Sequence, residues 1–412
     1  MSKTMLWIGF SLEDIEPIPA VLTAFTIALI TLVKNVRGFW RGAVAKSKTG
    51  TFSFWLGQNH VIGLSGEAAR KMYLEDRRLH LIKGITLIGH GPDLINGRST
   101  VIHDIWKGTG PSGRTYAQRR LLELQRSDLL AKRLPKVTRD ARTAFEAMRM
   151  NESSVINPSK TCFRIVITQG SRIVATDEIA DNPELLHSLF LYTQILQFTN
   201  TLHLLAFPGI SYLSPGYWKR RYGRRGLQKT VESIVNRRMA RGAAGGDDTL
   251  HMLFIAGANT GVVSGSMLNI VAHHQDWQGK IYNEIKSSAA IYATDKTRKL
   301  PLVDQLDQLP IEAWEKMSES LELCYKEAIR MWVAFPMGRF NDTPDAISIP
   351  GSNQVIPPSS FAFYNTIDAH YNEKLYPNAI KWDPERWSEG RMESPTQGVK
   401  GCFGTYQLSP IY

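Results

Sequence analysis

The apolar positions of this chain change period along its length. From Ile18 to Val33 the run IPAVLTAFTIALITLV holds no charged residue, and Lys34, Arg37 and Arg41 follow it. Such a run reads as a membrane segment with a basic flank. It is shorter than the roughly 20 apolar residues of an ordinary span, so tilt, the flanking Trp40 or local thinning of the bilayer would have to help. The cations lie after the run and no small-residue cleavage site follows it, which opposes a removed secretory signal and puts the bulk of the chain on the cytoplasmic side. The competing reading is a buried N-terminal core helix.

Beyond this run, residues 51–65 (TFSFWLGQNHVIGLS) hold two stretches rich in aromatic and β-branched residues around Gly57-Gln58-Asn59, which predicts a hairpin. Ala68 to Tyr73 predicts a helix. From Tyr116 to Met148 apolar residues recur at helical spacing among dense Arg and Lys, and the remainder stays mostly helical to about Trp332. Strand-like pieces return at Ala346–Ile349 and Ser360–Tyr364 among prolines 344, 350, 357, 358 and 377. The expected fold class is mainly α with small β-sheets, one portion near each end. With no internal repeat or long linker, the expected division is 1–41 as anchor and basic flank and 42–412 as the body.

Composition adds charge to this picture. Lys and Arg number 49 against 38 Asp and Glu in 412 residues, a net charge of +11, so an acidic partner, an anionic membrane face or nucleic acid must be weighed. Two stretches concentrate the excess. Tyr217–Arg241 carries nine cations against Glu232 alone, interleaved with Tyr217, Trp218 and Tyr222; Arg114–Arg142 carries nine against three. Without an RNP, zinc-finger or KH pattern the reading favours solvated or membrane-facing helix faces over nucleic-acid binding. Three isolated cysteines, Cys162, Cys324 and Cys402, can form neither a disulfide framework nor a Cys-rich zinc site.

The P-loop pattern GxxxxGK[ST] is absent, as are HExxH and GxSxG. Four elements in the last 160 residues carry the chemistry that remains. Ala256-Gly257-Ala258-Asn259-Thr260 puts small residues and then polar ones on an apolar helix, where a bulky group can approach and a hydroxyl can hold water. Glu327 and Arg330, at i and i+3 on a helix, share a face with Arg386 within reach from Asp383-Pro384-Glu385-Arg386-Trp387, so that a Glu-Arg-Arg network becomes possible. Arg339 follows in AFPMGRF, read as an irregular stretch that aims a guanidinium at a carboxylate. Gly398-Val399-Lys400-Gly401-Cys402-Phe403-Gly404 sets a cysteine among glycines beside a cation, a plausible thiolate-ligand loop.

In this order the four elements resemble the cytochrome P450 superfamily of heme-thiolate monooxygenases, in the style of fungal microsomal members, with AGxxT, ExxR and PERW in place and the hairpin and anchor upstream. The resemblance implies a P450-like fold, heme b as cofactor, a lipophilic small-molecule substrate and electrons from NADPH through NADPH-cytochrome P450 reductase. It implies an endoplasmic reticulum membrane location with the body facing the cytosol, and no nucleic-acid partner. Carried over residue by residue, Thr260 takes the oxygen-activation role beside Asn259, which stands where an acid is usual and cannot relay a proton as an acid does. Gly257 lies against the heme, and Tyr116, Arg120 and Arg339 bind its propionates. Glu327, Arg330 and Arg386 form the structural triad, and Cys402 is the iron ligand.

The resemblance further implies that the cations of 114–142 dock an acidic reductase, with Arg120 facing the heme and Arg126, Lys132, Arg133 and Lys136 facing solvent. Two departures accompany it. Pro395 stands where the cysteine loop usually has Phe and ten residues follow Cys402, while Arg241–Asp248 lies close before Ala256. The expectation is a fold incomplete at its C-terminal end with a shortened central helix. The alternatives are a non-catalytic remnant that does not hold heme productively, or a basic membrane-associated protein whose motif matches are accidental.

Overall fold

The computed structural model describes residues 36–56, 59–81, 83–84, 126–150, 157–175, 177–198, 212–240, 263–332, 336–389 and 391. The run at 18–33 and the sites at Tyr116, Arg120, Gly257, Asn259, Thr260 and Cys402 lie outside these residues. In chain order the elements are α1 (Val36–Lys46), β1 (Phe52–Leu56), β2 (Asn59–Leu64), α2 (Glu67–Glu75), β3 (Leu79–His80), α3 (Ser127–Met150), α4 (Pro158–Gly170), α5 (Asp177–Ala180), α6 (Pro183–Phe198) and α7 (Pro215–Ala240). After them come α8 (Gln275–Tyr292), α9 (Leu302–Leu306), α10 (Ile311–Glu315), α11 (Glu319–Trp332), β4 (Pro336–Asn341), β5 (Ile347–Ser348), β6 (Val355–Ile356), β7 (Phe361–Asn365) and α12 (Ile367–His370). Residues 263–271 are also helical.

Aromatic and β-branched residues at 52–64 make the hairpin: β1 and β2 pair antiparallel with Phe52 opposite Gly63 and Leu56 opposite Asn59. Gly63 is needed there, because a Cβ would stand 2.3 Å from the Phe52 ring. The two β portions at opposite ends of the sequence form one sheet of order β1-β2-β7-β4-β3. The parallel pair β2–β7, Val61 opposite Phe361 and Leu64 opposite Tyr364, closes it. One face buries Ile62, Leu64, Ala362 and Tyr364 against Ala69 and Tyr73 of α2 and the small β5–β6 sheet. The aromatic set Phe54, Phe361, Phe340 and Phe363 forms a second cluster, to which α1 contributes Phe39. Trp40 is buried with its ring 4.9 Å from Phe52, so α1, which runs across position 41, is docked on the sheet.

Arg339 lies in strand β4, between β7 and β3. This corrects the irregular stretch expected there: Pro336 occupies the first strand position, where its missing N–H costs no interior ladder bond, and Gly338, Arg339 and Phe340 pair with Phe363, Ala362 and Phe361.

The helical layer packs α4, α6 and α7 around Phe163, Ile167, Leu189, Leu227 and Ile234. Asn157 caps α4 by accepting from the Lys160 N–H at 3.1 Å, with Pro158 at the first helical position. A π-turn, Ser171–Ala175, follows. It is held from α3, and this corrects the expected solvent-facing set at Arg133 alone; Arg126, Lys132 and Lys136 are exposed as expected. Arg133 is half-buried and donates to the carbonyl oxygens of Arg172 and Ile173. Lys136 pairs with Asp177 at 2.5 Å and Arg126 with Asp128 at 3.1 Å. Arg172 is buried and binds Asp140 at 2.6 Å, Asp177 at 2.9 Å and Asp181 at 2.6 Å. Arg142 reaches Asp304 at 2.6 Å and Asp307 at 2.8 Å. Much of the α3 charge is matched by acids of neighbouring elements, and Lys132 and Arg139 are the exposed cations without an ion pair among the described residues.

Candidate functional site

Helix α11 presents Glu327 and Arg330 on the face it buries. Its apolar partners there are Leu323, Cys324, Ala328 and Ile329, packed against Trp277 and Ile281 of α8 and Val263. Ser318 and Ser320 at its start bind Glu284 of α8, the Ser320 N–H donating at 3.0 Å. The helix is thereby pinned at its start. Glu327 and Arg330 are both fully buried.

The Glu327 carboxylate accepts five hydrogen bonds. Arg330 donates from Nε to Oε2 at 2.9 Å and from Nη2 to Oε1 at 2.7 Å, a fork-to-fork pair. The Asp383 N–H reaches Oε1 at 3.1 Å, Arg386 Nε the same oxygen at 3.2 Å, and the Trp387 indole N–H reaches Oε2 at 3.0 Å. Arg330 spends its remaining donors on carbonyls, those of His370 and Ala379 both at 2.7 Å and Lys381 at 3.4 Å. Its guanidinium also lies 5.3 Å from the Tyr376 ring centre. Arg386 donates to the Pro377 carbonyl at 3.3 Å. The structure thus brings Glu327, Arg330 and Arg386 together and ties α11 to the whole 370–387 segment that leads toward Cys402.

Trp387 and the three carbonyl acceptors are members that sequence reasoning missed. The indole was visible in the quoted PERW motif, whereas main-chain carbonyls carry no sequence signal. His370, which precedes the PERW motif, is fully buried, and neither ring nitrogen has a hydrogen-bond partner. Burial, helped by the Arg330 charge, pushes its pKa down to about 3.

Arg339 stands apart from this network. It is buried, its guanidinium lies 5.0 Å from the Tyr73 ring centre, and it forms no ion pair with a described carboxylate. Its Nε has no hydrogen-bond partner. Burial lowers its pKa from the ordinary arginine range, with Tyr73 and then Asp76 opposing the shift. A buried arginine in this state is matched to an incoming anion. Of the described cysteines, Cys324 is fully buried and its thiol is pushed up to about 12 by burial, with Asp276 adding to the effect. Burial also raises Cys162. Neither has the character of a thiolate ligand.

Residues 247–400 match the family model for cytochrome P450. A cytochrome P450 monooxygenase of Pseudocercospora fijiensis (strain CIRAD86) is 50% identical over 384 residues, 88% of this chain and 77% of that protein. The chain belongs to the cytochrome P450 family. Cytochrome P450 monooxygenase AacuE of Aspergillus aculeatus is 47% identical over 375 residues, 86% of this chain and 73% of its own. The solved structure of retinoic acid bound cyanobacterial CYP120A1 superposes with a TM-score of 0.61 at 16% identity, covering 93% of this chain and 86% of that one, which shows the shared fold.

This P450 is accordingly mainly α with small sheets, and its activity class is heme-thiolate monooxygenation. No helix among the described residues is long and apolar enough to cross a membrane.

Proposed function

We propose that this P450 inserts one oxygen atom from dioxygen into a small lipophilic substrate, with electrons drawn from NADPH through a flavoprotein reductase. The observation that carries the reading is Arg339, a buried guanidinium whose Nε has no hydrogen-bond partner and which pairs with no described carboxylate, as fits a heme propionate. Tyr116 and Arg120 would bind the propionates beside it, and Cys402 would ligate the iron. Its assignment gains support from Cys162 and Cys324, whose burial keeps both thiols protonated. When bound, the heme supplies the iron centre at which dioxygen is activated.

The chain's own residues then have separable tasks. Arg339 holds a carboxylate in place of water. Gly257 leaves room on the central helix for a flat group, and Thr260 holds water through its hydroxyl. Asn259 orients that water by hydrogen bonding but has no acidic proton to give, so a water molecule carries the proton past it. The Glu327–Arg330–Arg386 network fixes the segment from which the cysteine loop departs. We further propose that residues 18–33 tether the protein to the endoplasmic reticulum membrane with the body in the cytosol.

The test is the reduced, CO-bound spectrum of the full chain. A thiolate-type Soret band is expected for wild type, Cys162→Ala and Cys324→Ala, and its loss in Cys402→Ala. Heme bound without that band would move the ligand away from Cys402. Arg339→Met should weaken heme retention with the polypeptide still folded, and unchanged retention would remove Arg339 from the propionate site.

A further inference from the structure

Two elements besides its own strand shape the surroundings of Arg339. Helix α2 buries Ala69 and Tyr73, about one turn apart, against the sheet. Tyr73 is 1% exposed, packs in the cluster of Leu64, Ala362 and Tyr364, and has its ring 5.8 Å from that of Tyr364. Its O–H donates to the Met337 carbonyl at 2.9 Å, two residues before Arg339 on β4. The ring seated in this way lies 5.0 Å from the Arg339 guanidinium, within the range of a cation–π contact.

The second element is the segment that follows β3, where Gly84 lies against the β4 backbone. A Cβ at position 84 would stand 2.5 Å from the Gly338 carbonyl oxygen and 2.7 Å from the Arg339 Cα, so only glycine lets the chain approach this closely. Lys83 beside it pairs with Asp342 and lies 4.9 Å from the Phe340 ring centre, while Leu79 and His80 pair with Asn341 and Phe340. The strand that carries Arg339 is thus held on both sides of the arginine.

Neither element quenches the charge. Tyr73 stays neutral: burial pushes its hydroxyl above the ordinary tyrosine range, against the opposing Arg339 charge. Asp76, just past the end of α2, is committed to Arg78, whose Nε reaches Oδ1 at 3.0 Å and whose Nη2 reaches Oδ2 at 2.6 Å. A neutral ring and a backbone stop orient the guanidinium and leave its Nε donor for an anion.

We infer that Tyr73 and Gly84 are positioning residues that hold Arg339 in the orientation in which it receives a heme propionate. Tyr73 seats the guanidinium, and Gly84 fixes the strand beneath it. The inference rests on the propionate reading of Arg339 and adds the two residues that act through it. A guanidinium held in place loses little freedom when the carboxylate arrives, so the holoprotein releases heme slowly.

The experiment follows heme loss from the holoprotein to excess apomyoglobin, the heme-propionate bending band in the resonance Raman spectrum, and the urea midpoint. Tyr73→Phe removes the anchoring hydroxyl and should speed heme loss about threefold. Tyr73→Leu removes the ring as well and should speed it about tenfold. Gly84→Ala should act in the same direction and, like both tyrosine variants, shift the propionate band. In an Arg339→Met background none of the three should change the rate by more than about twofold, although each keeps its own cost in the urea midpoint.

The background separates a positioning role from a structural one. Variants that speed heme loss equally with and without Arg339 would reveal a general loosening of the fold and overturn the inference. Wild-type heme loss and an unmoved propionate band in Tyr73→Phe or Gly84→Ala, with Arg339→Met releasing heme fast, overturn it and leave the propionate reading standing. Wild-type heme retention in Arg339→Met removes that reading and the inference with it.

Discussion

Replacing Glu327 with Ala is the most severe single truncation of the network at α11. The carboxylate carries one negative charge against two buried guanidinium groups and satisfies five N–H donors. Removing it takes away the carboxylate that Arg330 and Arg386, both nearly inaccessible to water, share. Breaking a buried pair from one side costs about 3–5 kcal/mol. The Asp383 and Trp387 N–H groups also lose their acceptor, each worth roughly 1–3 kcal/mol if left unsatisfied. Against a total stability of about 5–15 kcal/mol this is a large fraction.

Three readouts test it: yield of soluble full chain, heme occupancy, and the urea midpoint followed by tryptophan fluorescence. Glu327→Ala should lower all three, and Glu327→Gln should fall between, because an amide keeps one acceptor but turns its NH2 toward other donors. A paired apolar replacement, Glu327→Met with Arg330→Met, should not rescue. Arg330 also serves the carbonyls of His370 and Ala379, so the swap strands them. An alanine variant whose unfolding free energy lies within about 0.5 kcal/mol of wild type would refute the reasoning, since that is the scale of an ordinary surface substitution.

Three further outcomes are expected. His370 has a folded pKa of about 3 against an ordinary 6.5; the unfolded chain therefore binds more protons between those values. Stability should fall as pH drops below about 6.5, with a slope approaching about 1.4 kcal/mol per pH unit, and denaturation curves of His370→Phe should show a flatter dependence over that window. At Gly226 a Cβ would stand 2.2 Å from the Tyr192 ring, so Gly226→Ala should destabilise by about 1–3 kcal/mol despite its better helix propensity. In a Tyr192→Leu background the same substitution should become neutral or stabilising, which a double-mutant cycle in urea measures. Arg172→Met strips Asp140 of a partner at 2.6 Å and should cost roughly 1.5–3 kcal/mol; a loss below 0.5 kcal/mol in the same assay would show that the three aspartates are adequately solvated without it.

Local pattern was legible wherever a residue's partner is near in sequence. The hairpin at 52–64 and the end of α11 at Trp332 follow from aromatic and β-branched runs around a turn and from helical spacing. The β2–β7 pairing was not legible, because a parallel contact across some three hundred residues leaves no local mark. Nor was the strand at Arg339, where Pro336 and Gly338 read as breakers and only the neighbouring strands make the segment extended. At the site, the side-chain members Glu327, Arg330 and Arg386 stood in motifs. The carbonyl acceptors and the isolated state of His370 depend on how 365–381 folds back on α11, which side-chain identity does not encode.

The two basic stretches show why a count of charges does not name a surface. Each carries nine cations, yet the structure disposes of them differently. Along α3 the decisive residues are on other elements: Asp177 for Lys136, and Asp304 with Asp307 for Arg142, while the π-turn carbonyls hold Arg133. Those cations are committed to joining α3 to its neighbours, and a partner's acids would have to displace short ion pairs to reach them. Along α7 no described element brings a carboxylate to Arg221, Arg225 or Lys229, which are exposed together with Trp218 and Tyr222. Charge reversal should therefore lower stability at Lys136 and Arg142 and leave it nearly unchanged at Arg225 and Lys229. If an electron-donating flavoprotein docks on α3, it must use Lys132 and Arg139, so reversing those two should slow electron transfer at low salt without lowering the urea midpoint.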